Sequence, residues 1–219
     1  MLLISGRNIF DMSLMIIAMP DKYLVFTGRP NAGKSSLIKE IIGLNVKIGK
    51  RPGTTRNISK HPLSQGLILV DMPGFGRMLG ASKRLGNMIN DRIIHFLETN
   101  AQNIVLTVHV LDISTFLETT RRLEENGIIS VDVEMVQFLA KTLQEFPLVV
   151  ANKIDKADKN ALNDNLKAFI HQISNGHISA IADKVFPVSA KTGEGINVLK
   201  NAIHEKLVAK GYRTPFKTR

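Results

Sequence analysis

The chain has 219 residues, 29 Lys and Arg against 19 Asp and Glu for a formal net charge of +10, and no cysteine. That length suits one compact domain with a sizeable core, and the lack of cysteine excludes a disulfide framework or a thiolate zinc site, as fits a cytoplasmic location. The apolar stretch near the start, Leu14 to Met19 with Asp11 just before it, is far short of the roughly 20 residues that a membrane-spanning helix needs, so neither an export signal nor stable membrane insertion is expected.

Residues 1–20 precede the first predicted strand. Lys22 to Thr27 is a short apolar, β-favouring run, and Ser36 to Ile42 carries apolar residues at helical spacing up to Gly43. Residues 57–63 and Gly66 to Asp71 read as two strands joined by a short turn, the one antiparallel pair. Ile104 to Asp112, Pro147 to Ala151 and Val185 to Val188 are near-continuous apolar runs, as expected of parallel strands buried on both faces. Between and after them, Val133/Val136/Leu139/Ala140/Leu143, Leu162/Leu166/Phe169/Ile170/Ile173 and Ile196/Leu199/Ile203/Leu207 recur at helical spacing. The alternation predicts an α/β fold of three layers, a mostly parallel six-stranded sheet with one antiparallel strand and helices on both faces. Asp132 is read as a helix N-cap, Thr115 with Glu118 as a capping box and Gly211 as a helix stop.

The chemistry lies in the strings that follow the predicted strands, where ligands bind on such a sheet. Gly28-Arg29-Pro30-Asn31-Ala32-Gly33-Lys34-Ser35 fits G-x-x-x-x-G-K-[ST] between a strand and a helix, so that successive backbone N–H groups surround a phosphate. Lys34 would then reach the β- and γ-phosphates and Ser35 would ligate Mg²⁺. Asp71-Met72-Pro73-Gly74 offers a carboxylate to hold Mg²⁺ through water and a Gly74 N–H free to face the γ-phosphate. Between them, Gly53-Thr54-Thr55-Arg56-Asn57 lies in a loop where a threonine hydroxyl, assigned to Thr55, could complete the metal shell.

Asn152-Lys153-Ile154-Asp155 selects the base. The Asp155 carboxylate accepts from guanine N1–H and N2–H₂, whereas adenine would leave it unpaired. Asn152 would brace neighbouring loops, the Lys153 stem would cover one face of the base, and Ser189-Ala190-Lys191 would supply a backbone N–H to guanine O6. GTP or GDP with Mg²⁺ is therefore the expected ligand, and an ATP-using P-loop kinase is disfavoured by Asp155.

In order, these strings resemble the five G motifs of the small GTPases related to translation factors. G-R-x-N-A-G-K-S, P-G-x-T and D-x-P-G-[FY]-G on a short chain resemble the EngB (YihA) family within the TrmE-Era-EngA-EngB group. Asn152, where bacterial members typically carry threonine, fits an archaeal-type branch. The resemblance implies a P-loop GTPase fold, with an extension at 1–20, an EngB-type G domain at 21–211 and a basic C-terminal tail at 212–219. It also implies a role in assembly of the large ribosomal subunit and a link to cell division and septation. Lys34, Thr55 and Gly74 are the residues expected to act in hydrolysis.

Phe75 stands where Ras-like proteins have the glutamine that orients water. By resemblance to GTPases with a hydrophobic residue there, K⁺ bound by Asn31 could take over part of that task. Slow intrinsic turnover in a molecular switch is the favoured reading, and a nucleotide-binding adaptor with negligible hydrolysis is the alternative. The basic clusters at Lys47, Lys50, Arg51 and Arg56 and at Lys206, Lys210, Arg213, Lys217 and Arg219 suit either a ribosomal subunit or rRNA as partner, or a solvated face around an anionic nucleotide. A monomer is expected. Asp112 is read as a strand-end cap or as a neighbour of the ligand, and the six histidines, His109 among them, as structural or exposed.

Overall fold

The structure is a computed structural model and describes residues 21–43, 57–64, 66–76, 83–174, 177–213 and 215–216. The expected positions 53–56, the basic residues 47, 50, 51, 217 and 219, and the segment 1–20 lie outside them.

Six strands form one sheet in the order β2-β3-β1-β4-β5-β6. These are β1 (Lys22–Gly28), β2 (Ser59–Ser64), β3 (Leu67–Asp71), β4 (Ile104–Asp112), β5 (Leu148–Asn152) and β6 (Val185–Val188). Only β2 runs antiparallel, against β3. The helices are α1 (Lys34–Ile42), α2 (Lys83–Thr99), α3 (Phe116–Glu124), α4 (Val131–Leu143), α5 (Lys159–Ser174) and α6 (Ile196–Ala209).

Alternation along β1 divides the core. Leu24 and Phe26 face α1 and α6, packing with Leu37, Ile38, Leu199 and Ile203. Tyr23 and Val25 face the opposite layer, where Ile89 and Ile93 of α2 and Met135 and Leu139 of α4 cover them. Further along that layer Phe116, Val136 and Phe169 close the core under α3, α4 and α5. Each central strand is covered on both faces, which is why its sequence is almost uninterruptedly apolar.

Helix ends depart from the sequence reading in two places. Asp132 is not the N-cap of α4; Ser130 occupies that position, and Asp132 lies in the first turn with its carboxylate engaged elsewhere. Thr115 precedes α3 but its side chain makes no capping bond; the Leu117 N–H is met instead by Asn165 Oδ1 of α5 at 2.9 Å. Gly211 does end α6. With φ at +96°, it donates to Val208 O while Tyr212 N–H donates to Leu207 O, which satisfies two of the helix's last carbonyls.

The sheet's order reverses about β1, whose neighbours are β3 on one side and β4 on the other. The crevice at such a reversal is where ligands bind on open α/β sheets, and the loop leaving β1 is Gly28 to Ser35.

Candidate nucleotide-binding site

The phosphate loop leaves β1 at Gly28 and enters α1 at Lys34. Gly28 has φ +151°, and a Cβ there would overlap the Val110 carbonyl of β4; Gly33 has φ +96°, and a Cβ would overlap the Asn152 amide nitrogen. Both glycines are therefore required by close approach as well as by backbone angle. Asn31, with φ +66°, takes the left-handed conformation that asparagine tolerates best among side-chain-bearing residues. It is exposed at the loop's crest, Ala32 is buried beside it, and Arg29, Pro30 and Ser35 are half-buried.

Lys34 and Asp71 meet under this loop. The Lys34 ammonium is 2.9 Å from Asp71 Oδ1, yet it is not oriented along a hydrogen bond, and among the described residues neither carboxylate oxygen of the fully buried Asp71 has a directed partner. The segment after Asp71 is laid against the loop: Met72 N–H donates to Phe26 O and Phe75 N–H donates to Gly28 O, each at 3.1 Å. Gly74 is so close to Pro30 that a Cβ would stand 2.6 Å from its nitrogen. Met72 is buried in the core under α2 and α4, and Phe75 packs partly into the same cluster. The aromatic ring thus serves packing and has no proton to give or take at the phosphate.

The base-selecting strings converge from β5 and β6. Asn152 is 1 % exposed and bridges two loops: its Nδ2 donates to Ala32 O at 2.7 Å, and its Oδ1 accepts from Ala190 N–H at 3.0 Å. Ser189 Oγ donates to Asp155 Oδ1 at 2.7 Å and accepts from Thr192 N–H at 3.1 Å. Lys191 Nζ stands 4.0 Å from Asp155 Oδ2. Ile154 packs against the core under α3 and α5, turning the string so that Asp155 comes under Ser189.

Lys153, at φ +69°, directs its ammonium to Asp112 Oδ2 at 2.5 Å. Asp112 also accepts from the N–H and Oγ of Ser114. Burial works to raise the Asp112 pKa, but the hydrogen bonds from Lys153 and Ser114 and the Lys153 charge outweigh it and leave the carboxyl below its ordinary value. Asp112 therefore caps the turn after β4 and also holds the Lys153 ammonium.

The four strings described lie at the carboxyl ends of β1, β3, β5 and β6, with Asp112 at the end of β4 beside them, while Asn57 alone of 53–57 is described and is exposed ahead of β2. His109 was the residue least legible from sequence. It is 1 % exposed and contacts Thr27 and Asp132; only the β1–β4 register, which pairs Thr27 with His109, brings the three together. Among the described residues no helix is long and apolar enough to cross a membrane.

A glycine-rich loop at the switch point of this sheet, a buried Lys–Asp pair beneath it and an acid beside the SAK turn define a P-loop GTPase. Residues 23–153 match the family described as 50S ribosome-binding GTPase. The chain is 40 % identical over 197 residues to a probable GTP-binding protein EngB of Methanopyrus kandleri, covering 89 % of this chain and 95 % of that one. It is 42 % identical over 193 residues to one of Pyrococcus horikoshii, covering 87 % and 86 % respectively. A crystal structure of a probable GTP-binding protein EngB superposes with a TM-score of 0.75 at 38 % identity, over 85 % of this chain and 99 % of that one. The chain belongs to the EngB family of GTP-binding proteins. It binds GTP and GDP and is a GTP hydrolase.

Proposed function

We propose that this chain is a slow, Mg²⁺-dependent GTPase switch that acts in the cytoplasm, in assembly of the large ribosomal subunit, with the link to cell division and septation that its family suggests. The observation that carries the proposal is the Asn152 bridge: one side chain ties the loop for phosphate to the loop for the base. The family's description as 50S ribosome-binding GTPase and the net charge of +10 support a ribosomal subunit or rRNA as partner.

In this reading Lys34 leaves Asp71 for the β- and γ-phosphates, and the N–H groups of Asn31 to Lys34 surround the β-phosphate. Mg²⁺ fits the residues present: Asp71 has two buried oxygens without a directed donor, and Ser35 adds a hydroxyl, a set of hard oxygen ligands. When bound, the ion would offset charge on the transferring phosphoryl group. Ser35 would hold it directly, Asp71 through water, and Thr55 would add its hydroxyl from the loop at 53–57. The Gly74 N–H turns toward the γ-phosphate, which draws the segment after Asp71 across Pro30 and couples the surface beyond it to the nucleotide state. Asp155, oriented by Ser189, accepts from guanine N1–H and N2–H₂. Because the Ala190 N–H is taken by Asn152, the Lys191 N–H is the donor we assign to guanine O6. Phe75 packs against the core and cannot orient water; K⁺ held at Asn31 is our candidate for the missing positive charge. Residues 21–211 form the G domain in this reading, between the 1–20 extension and the 212–219 tail.

The test is a salt-dependent pull-down of ribosomal particles with the chain held in its GTP and GDP states, alongside single-turnover phosphate release with and without purified large subunits. Retention in the GTP state and faster release on subunits are expected. Equal, weak retention in both states together with unchanged release would overturn the ribosomal role.

A further inference from the structure

A polar network links β1, β4 and the first turn of α4 to the phosphate loop. Thr27 Oγ1 lies 3.0 Å from His109 Nδ1, Nε2 of the same ring lies 3.2 Å from Asp132 Oδ1, and Asp132 Oδ2 lies 3.7 Å from Arg29 Nη1. Thr27, His109 and Asp132 are all buried. A neutral imidazole with its proton on Nε2 satisfies the chain: the Thr27 hydroxyl donates to Nδ1, and Nε2–H donates to Asp132; this tautomer is assigned from the partners. A carboxylate buried here pays a desolvation cost that a leucine would not, and in return takes a hydrogen bond from His109 and an ion pair from Arg29. One partner is rooted in the sheet, the other in the phosphate loop.

The contacts around Arg29 give that restraint a direction. Both of its chain neighbours touch the segment after Asp71: Gly28 O accepts the Phe75 N–H at 3.1 Å, and Pro30 stands against Gly74. Asp132's own neighbour, Val131, has its Cγ1 3.2 Å from where a Cβ on Gly76 would be. The first turn of α4 therefore pairs with the phosphate loop through Asp132 and stands beside Gly76 through Val131.

We propose that Asp132 and Arg29 are positioning residues for GTP hydrolysis. Anchored on His109 and Thr27, they fix the phosphate loop against Gly74 to Gly76, so that the two stretches of backbone that face the γ-phosphate are in register when it arrives. Loss of either residue slows the chemical step more than it weakens nucleotide binding. The inference rests on the site being the GTP site, and its test separates the two.

Arg29→Gln is the leading variant, because the Arg29 side chain is 42 % exposed and folding should tolerate the change. Asp132→Asn, the double variant and Arg29→Lys accompany it, with kcat, KM, affinity for fluorescent GDP and thermal melts measured on each. Arg29→Gln and Asp132→Asn should each lower kcat about five- to tenfold, within the range of network couplings, with GDP affinity held to about twofold. The double variant should be no slower than the slower single, and Arg29→Lys, which keeps the cation, should recover most of the rate. Unchanged kcat in Arg29→Gln overturns the proposal, as do equal losses in kcat and GDP affinity or multiplying losses in the double variant. If Asp132→Asn fails to fold, Arg29→Gln decides alone. Failure of the parent chain to bind GDP or GTP overturns the assignment of the site itself, and the inference with it.

Discussion

The Lys34 ammonium sits 2.9 Å from the Asp71 carboxylate, with side-chain exposures of 7 % and 0 %. Two groups that we assign to different ligands, a phosphate and a hydrated cation, are thus paired with one another. In the proposed reading, nucleotide binding exchanges this pairing for two others. Lys34→Ala would leave Asp71 as a buried carboxylate without its cation, at a cost of about 3–5 kcal/mol of stability, besides the loss of nucleotide affinity. Adding Asp71→Asn should recover most of the stability and none of the affinity. Denaturant melts and GDP titrations check both; a Lys34→Ala chain as stable as the parent would contradict this account of the pair.

Gly74→Ala tests the approach of the segment after β3 to the phosphate loop. A Cβ would stand 2.6 Å from Pro30 N and 2.7 and 2.8 Å from its ring atoms, so loop and segment must part. Displacement of a phosphate-facing N–H by an ångström costs on the order of a hundredfold in rate, whereas GDP, which has no γ-phosphate for Gly74 to face, should bind within about threefold of the parent. Hydrolysis at the parent rate would show that Gly74 does not face the γ-phosphate.

Base selection should depend on Ser189 as well as on Asp155. Ser189 Oγ donates to Asp155 Oδ1 at 2.7 Å and is itself held by Thr192 N–H. Removing one such bond costs about 1 kcal/mol, or roughly fivefold in affinity, so Ser189→Ala should weaken GDP without changing which base is preferred. Asp155→Asn replaces two acceptors with an amide and should shift preference from guanine toward xanthine. Competition titrations with GDP, XDP and ADP distinguish the two variants.

The potassium assignment is tested at Asn31, whose exposed side chain and φ of +66° place it at the crest of the loop. Turnover should be faster in K⁺ than in Na⁺ at equal ionic strength, and Asn31→Ala should remove most of that difference. Equal parent rates in the two salts would leave Asn31 without this role.

What sequence could and could not convey follows from the range of each interaction. Strands β1, β3, β4, β5 and β6 were legible because burial on both faces leaves a continuous apolar run, and the glycine and NKID strings because they follow strand ends. Asp132 was misjudged as a cap because an acidic residue at a helix start has two uses. Its actual partners, His109 and Arg29, stand 23 and about 100 positions away along the chain, and the second meeting requires the β1–β4 crossover. The same holds for α3, whose first turn is capped by Asn165 from 48 residues downstream rather than by the adjacent Thr115. Asp112 could be read as a cap from Ser114 two residues on, but its pairing with Lys153 depends on the neighbouring register of β4 and β5, in which Asp112 pairs with Asn152.

That pairing gives a pH dependence of known sign. Contacts with Lys153 and Ser114 outweigh burial and lower the Asp112 pKa from its ordinary 3.8, so the folded state binds the Asp112 proton less readily than the unfolded chain does. A lowered carboxylate pKa contributes stability that is fully present above the unfolded value and is lost as pH falls through the folded one. Asp112→Asn should therefore cost stability near neutral pH, and the gap between parent and variant should close in acid, below 3.8, as the parent's own carboxylate becomes protonated. Comparing the pair at each pH cancels the acid sensitivity of the rest of the chain. The same substitution frees the Lys153 ammonium, and GDP should leave roughly three- to tenfold faster, since a disordered stem must be fixed again over the base. A stability gap that is constant from neutral to acid pH would mean that Asp112 supports the turn after β4 through geometry alone, with no part played by its charge.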